Sequence, residues 1–201
     1  MARPPVIAEE TGLWLALDIS SLKLTDDQLV RFFGDNEEFQ FELSANGELI
    51  IMAPAGLPSD GRNVIITTRL RLWTERDGSG ECFGPTAMFT LPNGAKRSPD
   101  AAWLPRKRLE PLGDIRDLVF PNICPDFVIE LRSKSNRIKK IKEKMEEYIA
   151  NGARLGWLLD PLENRATIYR PGQPPHEIDA PMILTGDPVL PGFQFDFRQI
   201  L

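Results

Sequence analysis

The chain has 201 residues, 42% of them hydrophobic and 26% charged, and a formal net charge of -5. That balance suits one domain with a sizeable core and argues against a general nucleic-acid-binding module, which would be basic overall. No apolar run reaches the roughly 18 to 20 residues that cross a bilayer, so no membrane association is expected. Met1-Ala2-Arg3-Pro4-Pro5 leads into no signal-peptide core, and Cys82 and Cys124 lie far apart without metal-ligand spacing. Both features predict a reduced, cytoplasmic protein.

In chain order, residues 13–20 form a short apolar segment with strand character. Thr25-Asp26-Asp27 is a helix start ahead of Leu29, Val30, Phe32 and Phe33. Phe39, Phe41 and Leu43 alternate with Gln40 and Glu42, and Asn46-Gly47 separates them from Glu48-Leu49-Ile50-Ile51-Met52, the pattern of a β-hairpin. Residues 54–60 read as a loop. Val64, Ile65, Leu70, Leu72 and Trp73 predict a helix ending near Gly78 and Gly80. A second hairpin is predicted from Cys82 to Leu91, across the turn Asn93-Gly94, into a strand over 98–104. Residues 105–122, with Pro105, Pro111 and Pro121, read as a loop with a short helix.

Residues 126–132 form a buried strand by composition. Ile138, Ile141, Met145, Tyr148 and Ile149 then recur at helical spacing, and Gly152 ends that helix. Residues 155–160 and 166–170 are a final pair of strands. The Pro- and Gly-rich remainder is expected to supply edge structure and a covering tail. The order of elements predicts an α/β (α+β mixed) fold, with a mixed sheet flanked by helices.

Two short stretches carry the chemistry. Pro99-Asp100 opens one apolar strand and Glu130 interrupts another, Phe127-Val128-Ile129-Glu130-Leu131. A carboxylate in such a setting is costly to desolvate unless something neutralises it, and two brought together from separate strands invite a divalent cation. Glu42, on the polar face of the first hairpin, is a candidate third acid. Strand periodicity places Arg132 on the face of Glu130 and sends Ile129 and Leu131 to the core. Asp126 falls on that face too, at the strand's edge. Charge is unevenly spread: Arg132, Lys134, Arg137, Lys139, Lys140, Lys142 and Lys144 are opposed over 132–144 by Glu143 alone. A basic stretch beside two acids suits a phosphate-containing substrate, with Lys134, Arg137 and Lys140 as candidate phosphate contacts. The plain alternative for these lysines is a solvated helix face, with Lys144 in an i, i+3 pair with Glu147. His176 is the sole histidine, which leaves histidine triads and His-rich metal sites without support. No G-x-S-x-G, P-loop or G-x-G-x-x-G motif is present.

Pro99-Asp100 followed by Glu130-Leu131-Arg132 resembles the PD-(D/E)xK nuclease signature, with arginine where lysine usually stands. The wider series resembles the Uma family of restriction-endonuclease-like proteins. It runs through Phe41-Glu42-Leu43, Leu91-Pro92-Asn93-Gly94, Ser98-Pro99-Asp100-Ala101-Ala102-Trp103, Cys124 to Leu131, Lys144-Met145-Glu146-Glu147-Tyr148, Leu155 to Pro161, and Ile168-Tyr169-Arg170-Pro171-Gly172. It implies one restriction-endonuclease-like domain over 1–201, with an N-terminal extension and helix to residue 37 and a family core over 38–197. It implies a Mg²⁺-dependent endonuclease (Mn²⁺ as the substitute ion) acting on nucleic acid, DNA foremost, as a homodimer. Asp100, Glu130 and Glu42 would be the metal ligands. Arginine cannot lose a proton at neutral pH, so the catalytic lysine role falls to Arg132 as a fixed charge or to Lys144 from the following helix. The competing expectation is a degenerate nuclease fold that binds DNA or protein without cutting.

Overall fold

The computed structural model describes residues 14–134 and 137–201. The expected N-terminal extension before residue 14 lies outside them. Strand β1 (Trp14–Asp18) precedes helix α1 (Asp26–Gly34). Thr25 starts α1 with a full capping box, in which Gln28 reaches back to the Thr25 N–H. The hairpin follows as β2 (Gln40–Leu43) and β3 (Glu48–Met52), and then helix α2 (Leu57–Asp77). This helix starts earlier than its apolar periodicity indicates. Gly56 occupies the cap and Pro58 the first turn, so the first turn has no need of an apolar stripe.

After α2 come β4 (Gly80–Phe83), β5 (Phe89–Thr90), β6 (Lys96–Arg97), β7 (Ala101–Pro105) and the short helix α3 (Arg106–Leu109). The predicted second hairpin is corrected here. The Asn93-Gly94 turn, with Gly94 at φ 86°, closes only β5 onto β6. The longer strand β4 pairs instead with β7. So short a β5 gives no sign in the sequence that the chain changes sheet between β4 and β5. Strand β8 (Phe127–Leu131), helix α4 (Ile138–Ala150), β9 (Leu155–Asp160) and β10 (Arg165–Tyr169) complete the predicted centre. The tail adds β11 (His176–Asp179), β12 (Ile183–Thr185) and β13 (Gln194–Asp196).

The central sheet has six strands in the order β11-β10-β9-β8-β7-β4. It is antiparallel except for β8 and β9, which run parallel because α4 connects them. A second sheet, ordered β1-β3-β2-β6-β5, lies beside it. Alternation along β8 decides the layers. Phe127, Ile129 and Leu131 join Ile66, Leu70 and Trp73 of α2 in one core. Val128 joins Ile141, Met145 and Tyr148 of α4 in the other, and Glu130 shares that face. Gly156 in β9 lets α4 settle onto the sheet, since a Cβ there would meet Met145 Cε at 2.5 Å. The tail is more than a cover. Phe193, Phe195, Phe197 and Ile200 are buried in the α2-side core, and Trp157 stacks on Phe193 at 5.7 Å.

Two side-chain placements differ from the strand-period reading. β8 ends at Leu131, so Arg132 is outside the strand. Its Nη1 donates to Asp160 Oδ2 at 2.6 Å at the end of β9. Asp126 precedes β8 and is buried, paired with the more exposed Arg108 and Arg154 in a structural ion cluster at the far end of the strand.

Candidate active site

A cleft of about 1020 Å³ opens between the two sheets and α4, and Glu42, Asp100, Glu130 and Lys144 all line it. Each arrives from a different element for a local reason. Phe41 stacks on Phe33 of α1 at 4.7 Å, which turns Glu42 to the opposite face of β2. Pro99-Asp100 is the bend that admits the chain to β7. Ala101 pairs with Ile129, so Asp100 lies at the end of β7 beside the last residues of β8. Glu130 faces α4, one turn of which presents Lys144 and Tyr148.

Lys144 is the hub. Its Nζ lies 2.6 Å from Glu42 Oε1 and 2.7 Å from Glu130 Oε1, and it donates to the Ser98 carbonyl at 3.2 Å. An ammonium has three N–H groups, and all three are committed. Glu130 Oε1 also accepts from Tyr148 Oη at 3.2 Å. Glu42 Oε2 accepts from Arg97 Nη1 at 3.1 Å and its Oε1 from the Ser98 N–H at 3.0 Å. Arg97 extends the chain of charges, donating from Nε to Glu147 Oε2 at 2.6 Å, and Asn93 Nδ2 holds the other Glu147 oxygen at 2.9 Å. Asp100 is gripped separately. Its Oδ1 accepts from Asn63 Nδ2 at 3.0 Å and its Oδ2 from the Leu131 N–H at 2.7 Å.

Burial and charge set the acids apart from one another. Burial opposes ionisation of Glu42, but Lys144 and Arg97 outweigh it and hold its carboxyl below the usual range. Burial pushes Glu130 up to about 8 against the pull of Lys144, and the neighbouring Asp100 and Glu42 add to the rise. Burial also raises Asp100, against its hydrogen bonds from Leu131 and Asn63. Lys144 is desolvated too, yet Glu130 and Glu42 keep its ammonium protonated far above neutrality. In this inner cluster four carboxyl groups (Glu42, Asp100, Glu130 and Glu147) face two cations (Lys144 and Arg97); with every group ionised the surplus is two negative charges, and the proton that Glu130, with its pKa at about 8, keeps at neutral pH brings it to one.

Of the residues singled out in the sequence, the structure brings together Glu42, Asp100, Glu130 and Lys144. Lys134, Arg137 and Lys140 line the same cleft. Arg132 is turned to Asp160 and away from this group. Arg97, Asn63, Glu147 and Tyr148 join the site without having been expected there. For Arg97 the available signal is its place next to the Pro99-Asp100 bend, since a two-residue strand has no alternation to read. Glu147, readable as a surface partner of Lys144, points to Arg97 instead. Asn63 leaves no signal, because one amide in a 21-residue helix says nothing until its partner is known.

The family Uma2, described as "Putative restriction endonuclease", matches residues 26–198 of the chain. Among solved structures, the fold is similar to the crystal structure of "a putative nuclease belonging to DUF820" from Anabaena variabilis. The two share 18% sequence identity with a TM-score of 0.73, over 88% of this chain and 97% of that one. No curated protein matches the chain.

Proposed function

We propose that this chain, which belongs to the Uma2 family, is an endonuclease that hydrolyses phosphodiester bonds of DNA with Mg²⁺ as cofactor and Mn²⁺ as its substitute. The observation that carries this reading is the convergence of Glu42 and Glu130 on Lys144 with Asp100 lining the same cleft. The donors are hard carboxylate oxygens, and the surplus of negative charge, which grows when a bound cation displaces the Glu130 proton, suits a divalent ion. Asp100 and Glu130 would hold it, with Glu42 as the third acid. A bound divalent ion supplies an acidified water and positive charge against the phosphoryl oxygens.

The chain's own groups do the rest. Lys144, released in part from its two carboxylates, offers a fixed positive charge beside the scissile phosphate. Glu130, with its pKa at about 8, can hold or release a proton at neutral pH. Asn63 and the Leu131 N–H fix the Asp100 carboxylate, and Arg97 fixes that of Glu42. Lys134, Arg137 and Lys140 are phosphate contacts along the cleft. Cutting both strands calls for two such sites, so we propose a homodimer. We place the protein in the cytoplasm: both cysteines are free, and among the described residues no helix is long and apolar enough to cross a membrane.

One observation favours a second reading, a degenerate fold that binds nucleic acid or protein without cutting. Lys144 already bridges the two buried glutamates, and among the described residues no three carboxylates are arranged as a ready-made metal site. Nicking of supercoiled plasmid during titration with Mg²⁺ and Mn²⁺ decides between them. Metal-dependent nicking lost in Asp100→Asn supports the endonuclease, and no nicking with either ion favours the binding module.

A further inference from the structure

The cleft continues from Glu42 along the same face of the five-stranded sheet, onto strands that carry none of the other proposed metal ligands. Cross-strand register lays this face out in three rows, of which the one through Glu48 and Asp18 is acidic and the other two carry the apolar side chains. Glu42 of β2 stands opposite Ile50 of β3, which stands opposite Ala16 of β1. One step along, Gln40 stands opposite Met52, and Met52 opposite Trp14. All six residues line the cleft, and the four apolar ones, Trp14, Ala16, Ile50 and Met52, are only half-buried. The other face of the same sheet is closed, with Leu49 and Phe41 buried and Phe33 stacked on Phe41. The open face thus presents an apolar platform with an indole at its edge and an amide, Gln40, at its side. From strand spacings, the indole lies on the order of 12 Å from Glu42.

The platform is bordered by positive charge. The Arg137 guanidinium lies over the Trp14 ring, 5.9 Å from its centroid, and Lys134 and Lys140 also line the cleft. An aromatic and thioether floor beside arginine and lysine is the combination that takes single-stranded nucleic acid. Bases stack on the apolar face while the backbone follows the cations. Paired bases are stacked on each other and offer this platform only their edges, and Glu42 and Glu130 lie buried at the bottom of the cleft.

We infer that the Trp14–Ile50–Met52 face is a subsite for unpaired nucleobases flanking the scissile phosphate, so that the substrate is single-stranded or locally unpaired nucleic acid rather than intact duplex. This rests on the endonuclease reading for the position of the phosphate and sharpens its substrate class. The geometry assigns Trp14 as the stacking residue, Met52 and Ile50 as the floor and Arg137 as the backbone contact nearest the indole.

The test uses the full chain in metal-free buffer, where affinity is read without cleavage. The probes are a fluorescein-labelled oligothymidylate and a blunt duplex of equal length, followed by fluorescence anisotropy. Trp14→Ala should weaken oligothymidylate binding about tenfold, within the range that base–aromatic stacking contributes, and leave the duplex unchanged. Trp14→Phe should stay near wild type. Met52→Glu, which sets a negative charge on the floor, should weaken the oligothymidylate at least as much. Thermal melting confirms that each variant is folded, and Met52→Glu decides alone if Trp14→Ala is not. The inference is overturned if the folded variants bind oligothymidylate like wild type, if single strand and duplex weaken equally, or if wild type prefers the duplex or binds neither probe. Nicking of a circular single-stranded DNA with Mg²⁺ or Mn²⁺ separates the two readings. Wild type that binds single strand through Trp14 yet nicks nothing retires the endonuclease alone. Wild type that nicks and is indifferent to Trp14→Ala retires the subsite alone.

Discussion

Lys144 Nζ stands 2.7 Å from Glu130 Oε1 inside the cleft, and the same ammonium bridges to Glu42 at 2.6 Å. In the absence of a bound metal ion this lysine is the main counter-charge to both buried glutamates. Lys144→Met should therefore affect stability as well as catalysis. Breaking a buried ion pair by removing one partner typically costs about 3–5 kcal/mol. The expected result is a large drop in melting temperature with cleavage abolished. If the acids hold a divalent ion, Mn²⁺ should restore part of the lost melting temperature but none of the cleavage. A variant that melts like wild type in metal-free buffer would show that the bridge contributes little.

Glu130 gives the cleft a pH dependence of defined sign. Its folded pKa, about 8, is above its ordinary value of 4.5. Between those values the folded state binds the extra proton, so stability from this group is full below about pH 4.5 and is lost as pH rises through 8. Glu42 acts oppositely, since its folded pKa is lowered. Its contribution is present above its ordinary 4.5 and is lost as pH falls through its lower folded value. In metal-free buffer the melting temperature should decline from about pH 5 to pH 8 in wild type, and Glu130→Gln should flatten that decline. Metal binding at about pH 7 should release protons in wild type and fewer in Glu130→Gln, measurable by calorimetry in buffers of different ionisation enthalpy.

Much of this site was legible because its acids sit where apolar alternation makes a carboxylate conspicuous. Glu130 between Ile129 and Leu131 is a polar interruption of a buried strand, Glu42 takes a polar position of an alternating one, and period two fixes the face of each. Lys144 was readable from its place beside the apolar stripe of α4. Arg132 was not, because period two holds only while the strand lasts and β8 stops at Leu131. The exchange of β4 and β5 between sheets was hidden for a related reason. Pairing partners distant in sequence leave no mark on a two-residue strand. The buried tail, with Phe193, Phe195 and Phe197, resembles a covering segment because prolines and glycines mask its alternation.

Arg97 should behave as a positioning residue for Glu42. It links Glu42 to Glu147 through two nitrogens of one planar fork, at 3.1 Å and 2.6 Å. Lysine keeps the charge but offers a single nitrogen and cannot span both carboxylates. Arg97→Lys should retain most stability and lose a measurable fraction of cleavage rate. Arg97→Met should destabilise the protein by the roughly 3–5 kcal/mol expected of a broken buried pair, read as a lower melting temperature. Equal cleavage rates for wild type and Arg97→Lys under single-turnover conditions would remove the positioning role.

Arg132 and Lys144 can be separated directly. Arg132 is engaged with Asp160, whose Oδ1 also accepts from the Leu162 and Glu163 N–H groups. Arg132→Met should cost about 1–3 kcal/mol through the Asp160 carboxylate it abandons, with cleavage reduced far less than in Lys144→Met. Single-turnover rates ranked in the opposite order would give Arg132 the lysine role.

Asp100→Asn is the sharpest separation of fold from chemistry. The two Asp100 oxygens accept from Asn63 Nδ2 and from the Leu131 N–H, so replacing one oxygen by an NH₂ sets donor against donor. The neighbour can adjust. Asn63 Oδ1 is buried without a hydrogen-bond partner among the described residues, and rotating the Asn63 amide presents that oxygen to the new NH₂. The Leu131 contact is then kept by the one side-chain oxygen that the substitution leaves in place. The substitution also removes a carboxylate whose pKa burial has raised and relieves its repulsion of Glu130. We expect the metal-free melting temperature of Asp100→Asn to equal or exceed that of wild type at about pH 8, where the unmodified carboxylates are most ionised, with divalent-ion affinity sharply reduced and cleavage lost. The double variant Asn63→Leu, Asp100→Asn cannot make the exchange and should be less stable than Asp100→Asn by about 1–3 kcal/mol, the cost of stranding a buried polar group. If Asp100→Asn cuts as fast as wild type, the carboxylate cluster is not the centre that performs the cleavage. If it fails to fold, the Asn63 rotation does not occur.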